Sequence, residues 1–298
     1  MDKGNSIKKS KLVEYGFVLM MTIVPFVYFL IFYVYVNFNS IKMAFEDEIT
    51  GTFTLRYFEI FWGELNSPTS VISESLINTL KFFVLDNIII FPLSLFFSYL
   101  LYKKIAGYKY FRIIFFLPSI ISAVVLTTLY RYILNGPISE IMAKMLNMET
   151  PPLLLNSEKY ALSSIMFYKI WLGIGMNMVI HSGTLSRIPG EIVDSCKIDG
   201  AGFYTEFITM SIPLIWPTLS TLILLNIVGI FGASGPILLF TQGEYGTSTI
   251  AYWIYRSTVI TPNYNYASAV GLVFTLVGLP IVFMARWLMN KVGEGEEF

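Results

Sequence analysis

The sequence predicts an all-α membrane protein with six transmembrane helices, and three observations carry that prediction. Of the 298 residues, 55% are hydrophobic and only 13% are charged, against about 25% charged in soluble domains. The charges are missing from long stretches: between Glu14 and Lys42, Asp86 and Lys103, Arg112 and Arg131, Lys169 and Arg187, Glu206 and Glu244, and Arg256 and Arg286. A helix needs about 20 apolar residues to cross a bilayer, and a soluble core has no use for so many uncharged runs. Finally, Gly and Pro recur inside these runs, at Pro25, Pro92, Pro118, Gly173 and Gly175. Membrane helices tolerate them where neighbours re-satisfy the backbone.

The spans fall at about 14–37, 72–101, 111–134, 161–186, 212–234 and 267–289. Lys3, Lys8, Lys9 and Lys11 precede the first apolar run, as in a signal peptide. The run from Tyr15 to Phe38 is too long for that and lacks a cleavage pattern, so it is an uncleaved helix. The second span contains Lys81 and Asp86, so its first turns face protein or water. These two are spaced i, i+5 and are not helix neighbours. The fourth contains Lys169 and the single histidine, His181. An ionisable group at that depth raises a functional question, but a neutral His181 hydrogen-bonded to a neighbouring helix is the simpler expectation. Between the third and fourth spans, breaks at Gly136-Pro137 and Pro151-Pro152 flank a short helix over 139–147, lying at the outer surface.

Loop charges set the orientation, because Lys and Arg accumulate on the cytoplasmic side. With the N-terminus inside, the cytoplasmic segments hold Lys3, Lys8, Lys9, Lys11, Lys103, Lys104, Lys109, Arg112, Arg187, Lys197, Arg286 and Lys291. The outer segments hold Lys42, Arg56, Arg131, Lys144, Lys159 and Arg256. Both termini are therefore expected in the cytoplasm. The organisation is a cytoplasmic N-terminus (1–13), a first helix with its outer loop (14–71), a main membrane domain (72–290) and a cytoplasmic tail (291–298). A net charge of zero gives no reason to expect nucleic acid, and one cysteine with one histidine supplies no metal cluster.

The loop between the fourth and fifth spans, 188–213, carries an amphipathic pattern. Pro189 suits a first helical position, and Glu191 and Asp194 place negative charge at a helix start. Ile192, Val193 and Cys196 share one face, away from Glu191, Asp194 and Lys197. Gly200 stands where a left-handed cap ends a helix. Phe203, Phe207 and Met210 mark a second short helix, which Pro213 separates from the fifth span. An apolar face on such a loop could simply lie on the membrane surface.

This loop resembles the cytoplasmic "EAA" loop of binding-protein-dependent ABC importer permeases: E-A-A, three residues, Gly, nine residues, then I-x-L-P. Asp194-Ser195-Cys196 stands at the E-A-A place, Gly200 at the Gly, and Met210-Ser211-Ile212-Pro213 at I-x-L-P. Ile188-Pro189 and Asp199-Gly200-Ala201 match the flanking I-P and D-G-A of sugar permeases. Further segments fall in the family's order: Asn78-Thr79-Leu80, Phe111-Arg112 with Phe116-Leu117-Pro118, Trp171-Leu172-Gly173, Leu239-Phe240-Thr241-Gln242-Gly243 with Thr247, Thr249 and Tyr252, and Tyr266-Ala267-Ser268-Ala269. The departures are Asp for Glu, and Ser and Cys for the two alanines.

The resemblance covers about 72–290 and points to the maltose, oligosaccharide and glycerol-phosphate branch. It implies a type I, maltose-permease-like fold working with a second homologous permease subunit, an ABC ATPase dimer and an extracytoplasmic substrate-binding protein. It implies that Glu191, Asp194, Ser195, Cys196, Asp199, Gly200 and Ala201 form an ATPase-coupling element. This chain would be no enzyme and would bind no cofactor. It lacks a G-x-x-x-x-G-K-[ST] loop, so ATP and Mg belong to the partner ATPase. A substrate pocket along the fourth and fifth spans would involve Lys169, Leu172, Gly173, Met176, Asn226, Gly229, Ile230 and Ala233. Those glycines would alternatively serve close helix packing. The cargo implied is a sugar or oligosaccharide, with a phosphorylated polyol as the other solute class. An intramembrane enzyme would need a converging acid, base or metal set. A proton-coupled carrier would use Asp86 or His181.

Overall fold

The computed structural model describes the backbone of residues 3–232 and 236–293, and side chains of 15–232 and 236–292. Eleven helices order the described residues: α1 (Tyr15–Ala44, the apolar part of a helix that starts at Lys3), α2 (Arg56–Asn66), α3 (Val71–Tyr102), α4 (Tyr108–Ile120), α5 (Ala123–Met145), α6 (Ala161–Leu185), α7 (Gly190–Ile198), α8 (Phe203–Val228), α9 (Ile237–Phe240), α10 (Ile250–Tyr255) and α11 (Tyr264–Val292). Five of them, α1, α3, α6, α8 and α11, are each long and apolar enough to cross a membrane. The expected third crossing is not a straight helix. α4 and α5 meet at 107°, with Ile121 and Ser122 extended between them (ψ 141° and 134°). Pro118 loosens the last turn of α4 by withholding a donor. The crossings number six when this bent pair counts as one.

Two further expectations change. The chain does not break at Gly136-Pro137: α5 continues through a π-helical turn, Leu134–Ile138, into Ser139–Met145. Nor does Pro213 separate a second loop helix from the fifth crossing, because α8 is continuous from Phe203. A π-helical segment, Glu206–Ser211, ends two residues before Pro213. In α3 the segment Leu85–Ile90 ends two residues before Pro92. A π turn widens the ring of the hydrogen-bonding ladder, which relieves the clash and missing donor that proline brings to an α-helix. Proline is thereby kept inside a long helix.

The core is built around α3 and α6. Gly175 lets α6 touch α4: a Cβ there would stand 2.0 Å from the Phe115 carbonyl oxygen. The end of α3 lies beside the start of α8, joined by Lys103 and Glu206. The start of α3 lies beside the segment 241–250, and the end of α1 beside α2 and the start of α11 through Glu46–Asn265 and Tyr57–Tyr266 contacts. Two ends of the molecule follow: a loop end (103–107 and 186–206) and an opposite end (44–70 and 237–266). The apolar stretch of α1 is exposed along its length, and only its final turn is buried, at Ala44.

Candidate functional site

At the loop end, α7 begins one residue after Pro189, whose ψ of 135° makes it the N-cap. Val193 is buried, and Ile192 and Cys196 pack beside it against Phe91, Leu95, Tyr99, Leu185, Met210 and Ile215. The apolar face of α7 thus rests on the protein's own core, not on a free surface. Its other face is open: Glu191, Asp194, Ser195, Ile198 and Asp199 are all exposed, Ile198 to 85%. Lys197 Nζ donates to Asp194 Oδ1 at 2.8 Å. That hydrogen bond and the ammonium charge hold the Asp194 carboxyl below its ordinary value of 3.8, and the carboxylate raises Lys197 in turn.

Gly200 closes α7 at φ +75°. Its N–H donates to the Lys197 carbonyl at 3.1 Å, and the N–H of Ala201 to the Cys196 carbonyl at 3.0 Å. This pair of bonds is a Schellman cap, which needs a left-handed residue that glycine adopts without Cβ strain. The loop therefore presents a short, terminated helix with one anchored and one free face.

Behind α7 lies a pair of which only Lys103 figures among the cytoplasmic loop charges above. Lys103 Nζ donates to both carboxylate oxygens of Glu206, at 2.8 and 2.7 Å, and Glu206 is only 4% exposed. One signal was available: Glu206 falls on the stripe of Phe203, Phe207 and Met210, and a carboxylate on an apolar stripe requires a partner.

In the membrane region, Lys169 does not stand free. Its Nζ is 2.5 Å from Asp86 Oδ2 across α3 and α6, and 5.0 Å from the Phe82 ring. Leu172 is half-buried against the core, and a Cβ on Gly173 would meet Ile90 at 2.9 Å. Met176 is exposed. On α8, Asn226 is half-buried, Gly229 forms the C-cap, and Ile230 just beyond it is buried. Ala233 lies outside the described residues. Two sizeable recesses lie elsewhere. One of about 730 Å³ lies on α2 beside Val273. The other, about 690 Å³, is lined by Ser70, Glu74, Asn78, Lys81 and Glu158. Lys81 is exposed there and is not Asp86's partner. His181 is fully buried edge-on to Phe91 at 4.9 Å, and neither ring nitrogen has a hydrogen-bond partner. The expected bond to a neighbouring helix is not made.

At the opposite end, two motifs far apart in sequence converge. Asn78 Nδ2 donates to the carbonyls of Gly246 and Ser248, at 2.9 and 3.0 Å. Ser75 Oγ donates to Ser248 Oγ, and Thr79 Oγ1 accepts from the N–H of Ile250. Arg131 Nη2 donates to the carbonyls of Leu239 and Phe240.

No family model matches the chain. Curated relatives do. The chain is 24% identical over 281 residues to the arabinooligosaccharides transport system permease protein AraP of Bacillus subtilis, covering 91% of this chain and 88% of the relative. It is 24% identical over 264 residues to the sn-glycerol-3-phosphate transport system permease protein UgpA of Escherichia coli, covering 86% and 83%. It is 24% identical over 186 residues to the multiple sugar-binding transport system permease protein MsmF of Streptococcus mutans; that match takes in 61% of this chain and 64% of the relative. Among solved structures, a chain of a bacterial ABC transporter involved in the import of the acidic polysaccharide alginate superposes with a TM-score of 0.79. Its identity is 20%, and the match covers 96% of this chain and 99% of that one. A second structure of the bacterial alginate ABC transporter, in complex with an alginate pentasaccharide-bound periplasmic protein, also gives 0.79, at 21% identity over 95% and 97%. The protein therefore has the multi-pass, all-α fold of an ABC importer permease.

Proposed function

We propose that this chain is a permease subunit of an ATP-driven sugar importer, coupled to separate ATPase subunits through the loop 188–213. The observation that carries the reading is α7 itself. Its apolar face is anchored on the core, its end is locked by the Gly200 cap, and its outer face offers Ile198 among acidic and polar groups. Such a helix transmits a push from a soluble partner to the helices behind it, and packed interfaces respond by switching between discrete arrangements. ATP and Mg stay with the partner ATPase, so this chain is not an enzyme. A second permease completes the path, and an extracytoplasmic binding protein delivers the solute. The loop end faces the cytoplasm, with both termini.

The Asp86–Lys169 pair favours a neutral saccharide over a phosphorylated polyol. A phosphate ester calls for an uncommitted cation, and Lys169 is already neutralised. The pocket would still involve Lys169, Leu172, Gly173, Met176, Asn226, Gly229, Ile230 and Ala233, completed by the second permease, towards which exposed Met176 would face.

The test is to purify the tagged chain in mild detergent and to measure uptake with and without the ATPase. Co-purified ATP hydrolysis, with uptake lost when the ATPase is deleted, is the expected result. Uptake that persists without any such ATPase would defeat the reading and favour a proton-coupled carrier. Competition of uptake by glycerol phosphate but not by neutral oligosaccharides would reverse the substrate preference.

A further inference from the structure

The geometry points to a clamp between Lys103 and Glu206 that makes the loop end of α3 move with α7 as one body. This extends the coupling proposed above by naming the helix that receives the push. α7 and α8 are neighbours in sequence, so the obvious recipient of motion is α8. The side chains say otherwise. Both carboxylate oxygens of Glu206 are taken by the Lys103 ammonium at the end of α3. Aromatic side chains surround the pair: Tyr99 lies 5.1 Å from Phe203 and 4.6 Å from Phe207, and Phe96 meets the same two rings at 6.5 and 5.9 Å. Val193, Ile192 and Cys196 of α7 enter that same cluster with Phe91, Leu95 and Tyr99 of α3.

The two kinds of contact do different work. Aromatic and aliphatic surfaces hold elements together but permit sliding, because dispersion and burial have little direction. A charge-assisted, two-oxygen contact fixes position. It sits at the start of the π-helical segment Glu206–Ser211, where α8 departs from regular geometry. π-bulges are among the places where helices kink and are frequent at functional sites. The clamp therefore lies on the α7 side of that irregularity, so α3 stays with the loop while the rest of α8 is free to bend. α3 then leads onward. Its middle is tied to α6 by Asp86–Lys169, and its far end to 246–250 by Ser75, Asn78 and Thr79. A displacement of α7 thus has a route to the opposite end through one helix.

The test uses the intact transporter in nanodiscs, with Cys196→Ala and spin labels at Ala106→Cys, just past α3, and Ser195→Cys, on the open face of α7. The expected result is one narrow 106–195 distance distribution, unchanged by ATP. Glu206→Gln should broaden it and shift it to longer distances. The charge swap Lys103→Glu with Glu206→Lys should restore it. Because Glu206→Gln strands a cation, which destabilises the region, Lys103→Met with Glu206→Met is the second variant; it buries no charge yet should still broaden the distribution. A distribution that stays narrow in the double-methionine protein would overturn the clamp, as would a wild-type 106–195 distance that changes with ATP. A second label pair, Ser195→Cys with Arg256→Cys, reports ATP-driven movement between the two ends. If that pair never responds to ATP, the coupling reading fails, whereas the clamp is still judged on the nucleotide-free width.

Discussion

The two ends of α3 are held in opposite ways. At the opposite end, side chains reach for backbone: Asn78 to the Gly246 and Ser248 carbonyls, and Thr79 to the Ile250 N–H. The partner segment turns through left-handed residues at Gln242, Gly243, Tyr245 and Gly246. Bonds to backbone fix a shape, and non-glycine residues at φ above zero, here Gln242 and Tyr245, persist only where the surrounding structure over-determines them. At the loop end, aromatic and aliphatic packing surrounds the Lys103–Glu206 ion pair. The proposed coupling needs one end that keeps its geometry and one that moves as a body when pushed, and the contacts are divided accordingly.

The largest effect should follow from Glu206→Gln. Removing one partner of a buried pair costs about 3–5 kcal/mol. The low end applies here, because the Lys103 side chain is 22% exposed and can turn towards headgroups. Thermal unfolding in detergent should show a clear loss, with ATP hydrolysis no longer driving uptake. Asn78→Leu comes next. It removes two hydrogen bonds to backbone, worth about 1–2 kcal/mol together in a membrane protein. Stability should fall while ATPase recruitment persists. If Asn78→Leu uncoupled hydrolysis from uptake without lowering stability, the division of labour between the ends would be wrong.

Gly200→Asp is smaller in energy. A left-handed non-glycine residue costs about 1 kcal/mol, and nothing crowds the position. Membrane insertion and unfolding temperature should change little, but α7 loses its fixed end, so uptake should drop at unchanged hydrolysis. Asp194→Asn is the mildest. The Lys197–Asp194 pair is on the surface, where such pairs contribute little, and no measurable change in stability should follow. The depressed Asp194 pKa sets the sign in the wild type: any contribution is present at neutral pH and is lost as pH falls through the folded value, below the ordinary 3.8. A loss of stability on raising pH through neutrality would contradict it.

Much of this was legible in the sequence. Charge-free runs locate crossings because hydrocarbon does not tolerate bare charge. Gly200 announced its cap because few residues adopt its conformation. What the sequence concealed were the pairings and bends. Lys81 and Asp86 share a helix, yet Asp86 pairs with Lys169, and nothing in a one-dimensional pattern chooses between them. Pro213 looked like a helix end, but a π turn placed just before it lets the helix continue. The bend at Ile121-Ser122 lies within an uncharged run that reads as one span. The candidate pocket was the least legible, since a linear pattern does not show that Leu172 and Gly173 pack against the core or that Lys169 pairs with Asp86.

The central claim is that α7 meets an ATPase through its open face. A photo-crosslinking residue placed at Ile198 in the full chain tests it most directly, with the same group at Phe167, an exposed site on α6, as control. The Ile198 adduct should be a subunit carrying ATP-hydrolysing activity or a bound ATP analogue, and Phe167 should capture none. An ATP-binding adduct from Phe167 alone, or none from Ile198 in a preparation that hydrolyses ATP, would contradict it.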